Sequence, residues 1–205
     1  MNDVVNNGRY LEKVVNEFTK IIDEFMEKGI LSKEDIRDYK KSNLHSWLQY
    51  AMIKAGDRLG LLAVPEIKLD FIEPLKLVNK KKKRHFKRVD VGFYDNNKRL
   101  LGISEIFTID GAHACLPTSK FIKILIYTIQ NSYNKPEFLI LVIALPKRSK
   151  YIAWKTGISK IDSELRKNKN YYTVFRDCWI KFKDKLKRYV NCSLIIISED
   201  KPEPL

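Results

Sequence analysis

The sequence of 205 residues predicts an α/β fold in which a mixed central sheet is flanked by helices. Apolar residues recur at helical spacing at the front of the chain, two β-like runs flank a short turn in the middle, and two continuous apolar runs follow. The length and an apolar content of 44% fit one domain. We expect N-terminal helices in residues 1–60, a sheet-containing core in residues 61–198 and a flexible tail in residues 199–205.

The first part of the chain is predicted to be helical. Residues 9–28 form an amphipathic pattern, and Gly29 is a typical residue to end it. Ser32 and Asp35 have the spacing of a capping box for a second, short helix. Asn43 can cap a third helix. Its predicted apolar residues are Leu44, Trp47, Leu48, Ala51 and Met52, and all three tryptophans of the chain are expected in the core.

From residue 64 the pattern changes to that of strands. Apolar and charged residues alternate over residues 67–71, and the basic run 80–84 follows. Residues 89–94 and 100–109 then flank the turn sequence 95–98, which predicts a β-hairpin.

The remaining elements alternate between helix and strand. Residues 119–131 are predicted to be helical, and the apolar run 138–145 is predicted to be a strand buried on both faces. A helix from about residue 173 to residue 190 and a strand at residues 194–197 complete the order. An antiparallel hairpin beside strands reached through helices makes the sheet mixed.

The net charge of +14 is concentrated in the later part of the chain. Residues 1–75 hold 11 of the 39 Lys and Arg and 13 of the 25 Asp and Glu, which leaves 28 basic and 12 acidic residues beyond them. Such a bias favours polyanions, and above all nucleic acid, as partners. The alternative is a lysine-rich surface that serves solubility.

The sequence predicts a cytoplasmic protein without a membrane partner. No apolar run is long enough to span a bilayer, and the start does not have the pattern of a signal peptide. Cys115, Cys178 and Cys192 are widely separated and show no pairing typical of disulfides or zinc, so we expect core residues in a reducing compartment.

Two acids of the predicted hairpin are candidates for a metal site. If residues 96–97 form a two-residue loop, Asp90 faces Ile103, Arg88 faces Glu105, and Asp90 and Glu105 are diagonal neighbours on one face. A loop of odd length would place the two acids on opposite faces. The alternative role of these acids is salt bridging on a solvated face, although Glu105 lies in an apolar run where an acid needs a partner or a metal.

These segments resemble a known family. Residues 88–93 (RVDVGF) and 102–107 (GISEIF) are similar to the PD-(D/E)XK nuclease superfamily, which carries an Asp on one strand and (D/E)xK on the next. The order of predicted elements from about residue 43 to residue 197 is similar to the restriction-endonuclease-like core of that family. The resemblance covers most of the chain and implies a divergent member, archaeal or from an archaeal virus.

The resemblance implies a metal-dependent DNA nuclease. Asp90 and Glu105 would hold Mg²⁺ or Mn²⁺ with help from the Ile106 carbonyl, and a phosphodiester would be hydrolysed. Val89 stands where the motif has Pro. Phe107 stands at the position of the motif's Lys, which in the family orients the attacking water.

Two lysines of the predicted helix 119–131 could take over that role. Lys120 and Lys123 form a polar stripe with Tyr127 and Gln130, and the alternative is that this stripe is only the solvated face of the helix. His113, between the hairpin and this helix, could contact the scissile phosphate, although a loop histidine without a role is the simpler interpretation.

The expected partner is duplex or branched DNA, and a homodimer is possible because cutting two strands needs two sites. Two alternatives stay open: an inactive nuclease-fold DNA-binding protein, favoured by Phe107, and a transcription regulator that uses residues 32–58 as a helix-turn-helix. The second is disfavoured because that segment is nearly neutral. The predicted phosphate-binding residues are Lys80, Lys81, Lys82, Lys83, Arg84, Lys87 and Arg88.

Overall fold

The computed structural model describes residues 7–37, 43–72, 84–108, 136–144, 190–198 and 202–205, together with six positions between 176 and 188. It confirms the α/β class. Within these described residues three helices precede six strands, and the strands form one sheet. The helices are α1 (Asn7–Glu27), α2 (Lys33–Arg37) and α3 (Leu44–Arg58). The strands are β1 (Leu62–Ile72), β2 (Arg84–Tyr94), β3 (Leu100–Thr108), β4 (Phe138–Ala144), β5 (Asn191–Ile197) and β6 (Glu203–Pro204).

The sheet is mixed, as predicted, and its strands lie in the order of the chain. β1, β2 and β3 form an antiparallel meander. β4 is parallel to β3 and β5 is parallel to β4, whereas β6 is antiparallel to β5. The predicted helix 119–131 lies outside the described residues. Of the predicted helix 173–190, the described positions 176, 179, 180, 183 and 184 have helical backbone.

The first helix ends where the sequence indicates. Gly29 adopts φ +68°, a left-handed conformation that glycine accepts without steric penalty, and the N–H groups of Ile30 and Leu31 then donate to the Phe25 carbonyl. The Ser32–Asp35 capping box is also confirmed, because each residue's side chain accepts a hydrogen bond from the backbone N–H of the other.

The start of α3 differs in two details from the prediction. Asn43 occupies the N-cap position, but its side chain makes no capping hydrogen bond. Trp47 is 37% exposed and packs edge-on against Phe25, so its assignment to the core is wrong, whereas Trp179 is buried as predicted. A tryptophan at the border of an apolar helix face satisfies the spacing rule without being covered.

Helices α1 and α3 cover one face of the sheet. α1 packs on β4 and β5, and α3 packs on β1, β2 and β3. Every residue of β4 is buried, which confirms the prediction of a strand buried on both faces. At the end of α3, Arg58 joins the two helices by bonding Glu17 and Glu24 of α1 at 2.8–3.0 Å.

The predicted register of the hairpin is wrong by two residues. The turn contains three residues, because the Asp95 N–H bonds the Arg99 carbonyl and Lys98 adopts φ +60°. A bulge follows, since Phe93 pairs with Gly102 but Tyr94 pairs with Leu100. Both additional residues are on the β3 side, so Ile103 lies opposite Gly92 instead of Asp90.

The flexible tail is also a wrong prediction for residues 202–205. β6 pairs with β5, and the backbones of Leu194 and Leu205 exchange two hydrogen bonds of 3.3 and 2.7 Å. An ion pair of 2.8 Å between Arg176 and Glu203 adds to this attachment. Among the described residues, no helix is long and apolar enough to cross a membrane.

Candidate active site

The two acids of the predicted metal site lie where β2 and β3 diverge. The last pair of these strands is Val91 with Ser104. The register, continued by one residue, sets Asp90 opposite Glu105. Beyond this point β3 continues beside β4, and β2 continues beside β1. The two acids are therefore directly opposite each other, whereas the sequence predicted them to be diagonal neighbours. Because the register differs from the predicted one by an even number of residues, both acids still belong to the same face of the sheet.

The Asp90 carboxylate is held by the backbone of β3. Asp90 is buried, at 8% exposure, and its Oδ2 accepts a hydrogen bond of 2.6 Å from the Ile106 N–H. The side chain thus takes the place of a backbone acceptor in the sheet. Its other oxygen, Oδ1, lies 3.5 Å from Nε2 of His45 on α3. The carboxylate is fixed by one oxygen and faces a titratable ring with the other.

The β1–β2 ladder is interrupted beside the same carboxylate. Pro65 pairs with Val91 and Ile67 pairs with Val89, but the intervening Glu66 and Asp90 are not a ladder pair. Glu66 adopts φ +54°, which is unfavourable for a residue with a side chain. Such irregularities redirect side chains and are frequent beside active sites.

A glutamine of α3 bridges the interruption. Gln49 Nε2 donates to the Asp90 carbonyl at 2.9 Å and to Glu66 Oε1 at 3.4 Å. The backbone of Asp90 is therefore held by α3, and its side chain is held by β3. Together with its own strand β2, these two elements determine where the carboxylate lies.

Glu105 is the most deeply buried acid of this region, at 1% exposure. Ser104 and Ile106 on either side are buried as well, and Leu141 of β4 is its partner in register. An ionised carboxylate at this depth must be compensated by hydrogen bonds or by a cation.

Three side chains of this region were not predicted as site residues. His45 and Gln49 are four residues apart and so share one side of α3, a spacing that could have drawn attention to them. Glu66 carries no comparable signal, since its backbone conformation and its contact with Gln49 exist only in the folded chain.

The other predicted site residues have different outcomes. The Ile106 N–H points to the β2 side of β3, and in an extended strand the C=O of the same residue points to the same edge. The metal-binding role implied for the Ile106 carbonyl stays a prediction. Phe107 is buried, at 6% exposure, at the position of the motif's Lys. His113, Lys120 and Lys123 lie outside the described residues.

Part of the predicted phosphate-binding set lies in β2. Arg88 is exposed and lies opposite Lys68 of β1, which is exposed too. Arg84 and Lys87 belong to the same strand and pair with Ile72 and Leu69. The remaining residues of that set, 80–83, lie outside the described residues.

The donors of the site suit a hard cation held by few protein ligands. Among the described residues, no group of three or more His, Cys, Asp or Glu is arranged to hold a metal ion. Mg²⁺ commonly keeps several waters and takes only one or two carboxylates from the protein. Asp90 and Glu105 supply two carboxylates, which is the donor type and number that such an ion commonly takes from a protein.

Comparisons of the chain with protein-family models, with curated proteins and with solved structures gave no match.

Proposed function

We propose that this protein is a metal-dependent DNA nuclease of the PD-(D/E)XK type that hydrolyses phosphodiester bonds. The observation that carries the proposal is the position of two buried acids, Asp90 and Glu105, at the divergence of β2 and β3. Asp90 is fixed there on the backbone of Ile106, the residue that follows Glu105. The net charge of +14 supports a polyanionic substrate.

Asp90, Glu105 and the Ile106 carbonyl would hold Mg²⁺ or Mn²⁺. When bound, such a cation lowers the pKa of a coordinated water and neutralises charge that develops on the phosphate. The Ile106 N–H restricts the Asp90 carboxylate to one orientation, so little side-chain entropy remains to be lost on ligand binding. Gln49 holds the backbone of Asp90 and acts as a positioning residue.

His45, whose Nε2 lies 3.5 Å from Asp90 Oδ1, is a side chain that can accept or donate a proton beside Asp90. Its ring is 40% exposed and therefore accessible to water and substrate. Because Phe107 cannot orient the attacking water as the motif's Lys does, that role would fall to His45, or to Lys120 or Lys123 as predicted from the sequence.

The test is cleavage of supercoiled plasmid, linear duplex and four-way junction DNA in the presence of Mg²⁺ or Mn²⁺. Asp90→Asn and Glu105→Gln keep the size of each side chain and remove its charge. Asp57→Asn and Glu12→Gln make the same changes at exposed acids of α3 and α1 and serve as matched controls.

We expect metal-dependent cutting by the wild type and by both controls, and a loss of at least about 100-fold in each site variant, since removing one group that acts on the transition state commonly has an effect of that order. Binding of duplex DNA in EDTA should persist in all four variants. Cutting that survives in Asp90→Asn or Glu105→Gln contradicts the proposed site.

A second candidate function is DNA binding without cleavage on the same fold. The buried Phe107 favours it, because a large apolar side chain fills the strand position from which the family's Lys acts. Tight, salt-sensitive binding by the wild type together with no cutting under any metal would select this function over the nuclease.

A further inference from the structure

The β1–β2 hairpin continues well beyond the candidate site as a two-stranded ribbon. We infer that this ribbon, residues 67–72 with residues 84–89, is an arm that engages a groove of duplex DNA and so selects duplex over single-stranded substrate. This inference rests on the proposed function to the extent that DNA is the partner.

The ribbon is defined by the different lengths of two ladders. β1 and β2 remain paired through six residues beyond Glu66 and Asp90, from Ile67 with Val89 to Ile72 with Arg84. The β2–β3 ladder ends before this segment, at Val91 with Ser104, and within the described residues the outer edge of β2 has no strand beside it there. Six extended residues span about 20 Å, which is comparable to the width of a DNA duplex.

The charge of the ribbon fits a polyanion. The two segments contain four Lys or Arg and one acid. Lys68 and Arg88 lie directly opposite each other, and both are exposed. Because residues that pair directly across two strands lie on the same face of the ribbon, Lys68 and Arg88 present two cationic groups side by side to solvent. Such a pair can contact neighbouring phosphate groups of a nucleic acid.

The dimensions of the ribbon favour a duplex groove. Neighbouring strands are about 4.8 Å apart, and the major groove of B-form DNA is about 12 Å wide and admits a two-stranded ribbon. Arg88 is only two residues from Asp90 along β2. A ribbon seated on the duplex would therefore bring the backbone of the same duplex next to the two buried acids.

The test compares two double variants that each remove two positive charges. Lys68→Ser/Arg88→Ser alters the ribbon, and Lys13→Ser/Lys33→Ser alters exposed lysines of α1 and α2. Binding to a duplex of about 20 base pairs and to one of its strands is measured by fluorescence anisotropy in EDTA, over a series of salt concentrations. Lys68→Arg/Arg88→Lys keeps both charges and should bind as the wild type does.

Loss of two phosphate contacts should reduce the slope of log K against log salt concentration for duplex binding by about 1.8 in magnitude. At 0.1 M salt this corresponds to duplex binding that is weaker by roughly 60-fold. The control pair should change binding by less than about threefold. Single-strand binding should respond far less than duplex binding. An equal loss on both substrates would overturn the selection of duplex, and wild-type-like duplex binding by the ribbon variant would overturn the arm itself.

A photo-crosslinking amino acid at position 68, with position 33 as the control, locates the arm independently of affinity. Cross-links to duplex at position 68 alone are expected, and none at that position contradicts the inference. The nuclease proposal is judged separately by metal-dependent cutting. If the wild-type protein cuts DNA and the ribbon variant binds duplex as the wild type does, only the arm is refuted. If the wild-type protein never cuts DNA and the ribbon variant loses duplex binding, only the nuclease proposal is refuted.

Discussion

Replacing Asp90 tests whether its carboxylate has a structural role that is separable from catalysis. Alanine removes the acceptor of the 2.6 Å hydrogen bond from the Ile106 N–H, whereas asparagine keeps an oxygen in the same position and removes only the charge. Both variants should lose cleavage. Only the alanine variant should also lose substantial stability, because it leaves a buried N–H without its partner.

The magnitude follows from the burial of the bond. A buried donor left without an acceptor costs about 1–3 kcal/mol, and a neutral acceptor retains roughly half the strength of a charged one. Asp90→Ala should therefore be about 2 kcal/mol less stable than Asp90→Asn. For a chain of 205 residues this corresponds to a Tm lower by about 4–8 °C.

Thermal unfolding followed by circular dichroism, and urea denaturation at 25 °C, measure the difference. Asp57→Ala and Asp57→Asn at an exposed position of α3 control for the general effect of each substitution and should differ by less than about 0.5 kcal/mol. Equal stability of the two Asp90 variants would refute the reasoning, since it would mean that the bond to Ile106 contributes nothing to the fold.

Three further predictions concern two residues of β3 and the ion pair that joins α1 and α3. Gly102→Ala would place a Cβ 2.1 Å from two ring atoms of Phe138, so we expect the free energy of unfolding, measured by urea denaturation, to fall by about 2–3 kcal/mol. Adding Phe138→Leu to this variant should recover part of the loss. Strictly additive effects of the two substitutions would mean that the ring is not the obstacle. The Ser104 hydroxyl is buried and has no hydrogen-bond partner among the described residues. Ser104→Ala should therefore leave the free energy of unfolding unchanged or raise it by about 1 kcal/mol. A clear loss of stability would show that the hydroxyl has a partner. The hydrogen bond from Arg58 lowers the pKa of Glu24 below its usual 4.5, so the stability that this pair contributes is present above pH 4.5 and is lost as the pH falls through the lowered pKa. The difference in unfolding free energy between wild type and Glu24→Gln should therefore shrink on acidification. A difference that stays constant with pH would contradict this assignment.

The class of the fold could be predicted because each element has its own local pattern. The predicted range 9–28 and the observed helix Asn7–Glu27 nearly coincide, and the apolar run 138–145 became the fully buried strand Phe138–Ala144. The attachment of residues 202–205 could not be predicted. This attachment depends on backbone hydrogen bonds between Leu205 and Leu194 of β5. Backbone pairing between two strands leaves no periodic pattern in the side chains of residues 202–205.

The site could be predicted in part. The prediction that Asp90 and Glu105 lie close together needs only two strands and a turn, and the β2–β3 register, continued by one residue, sets them opposite each other. His45, Gln49 and Glu66 depend on how α3 packs against β1 and β2, and packing between elements is not encoded in the spacing of a single one. The register between the two acids also escaped prediction, because it depends on the backbone conformation at Lys98 and on the bulge.

The turn at residues 95–99 and the bulge beyond Phe93 have a consequence for how this chain can change in length. Each shifts the pairing of β2 and β3 by one residue, and only their combination keeps Asp90 and Glu105 at the same parity. A single-residue deletion in the turn, although it is exposed and far from the acids, would carry Glu105 to the other side of the sheet unless the bulge were lost with it. Insertions and deletions here should therefore be tolerated in twos, or in ones that add or remove a bulge.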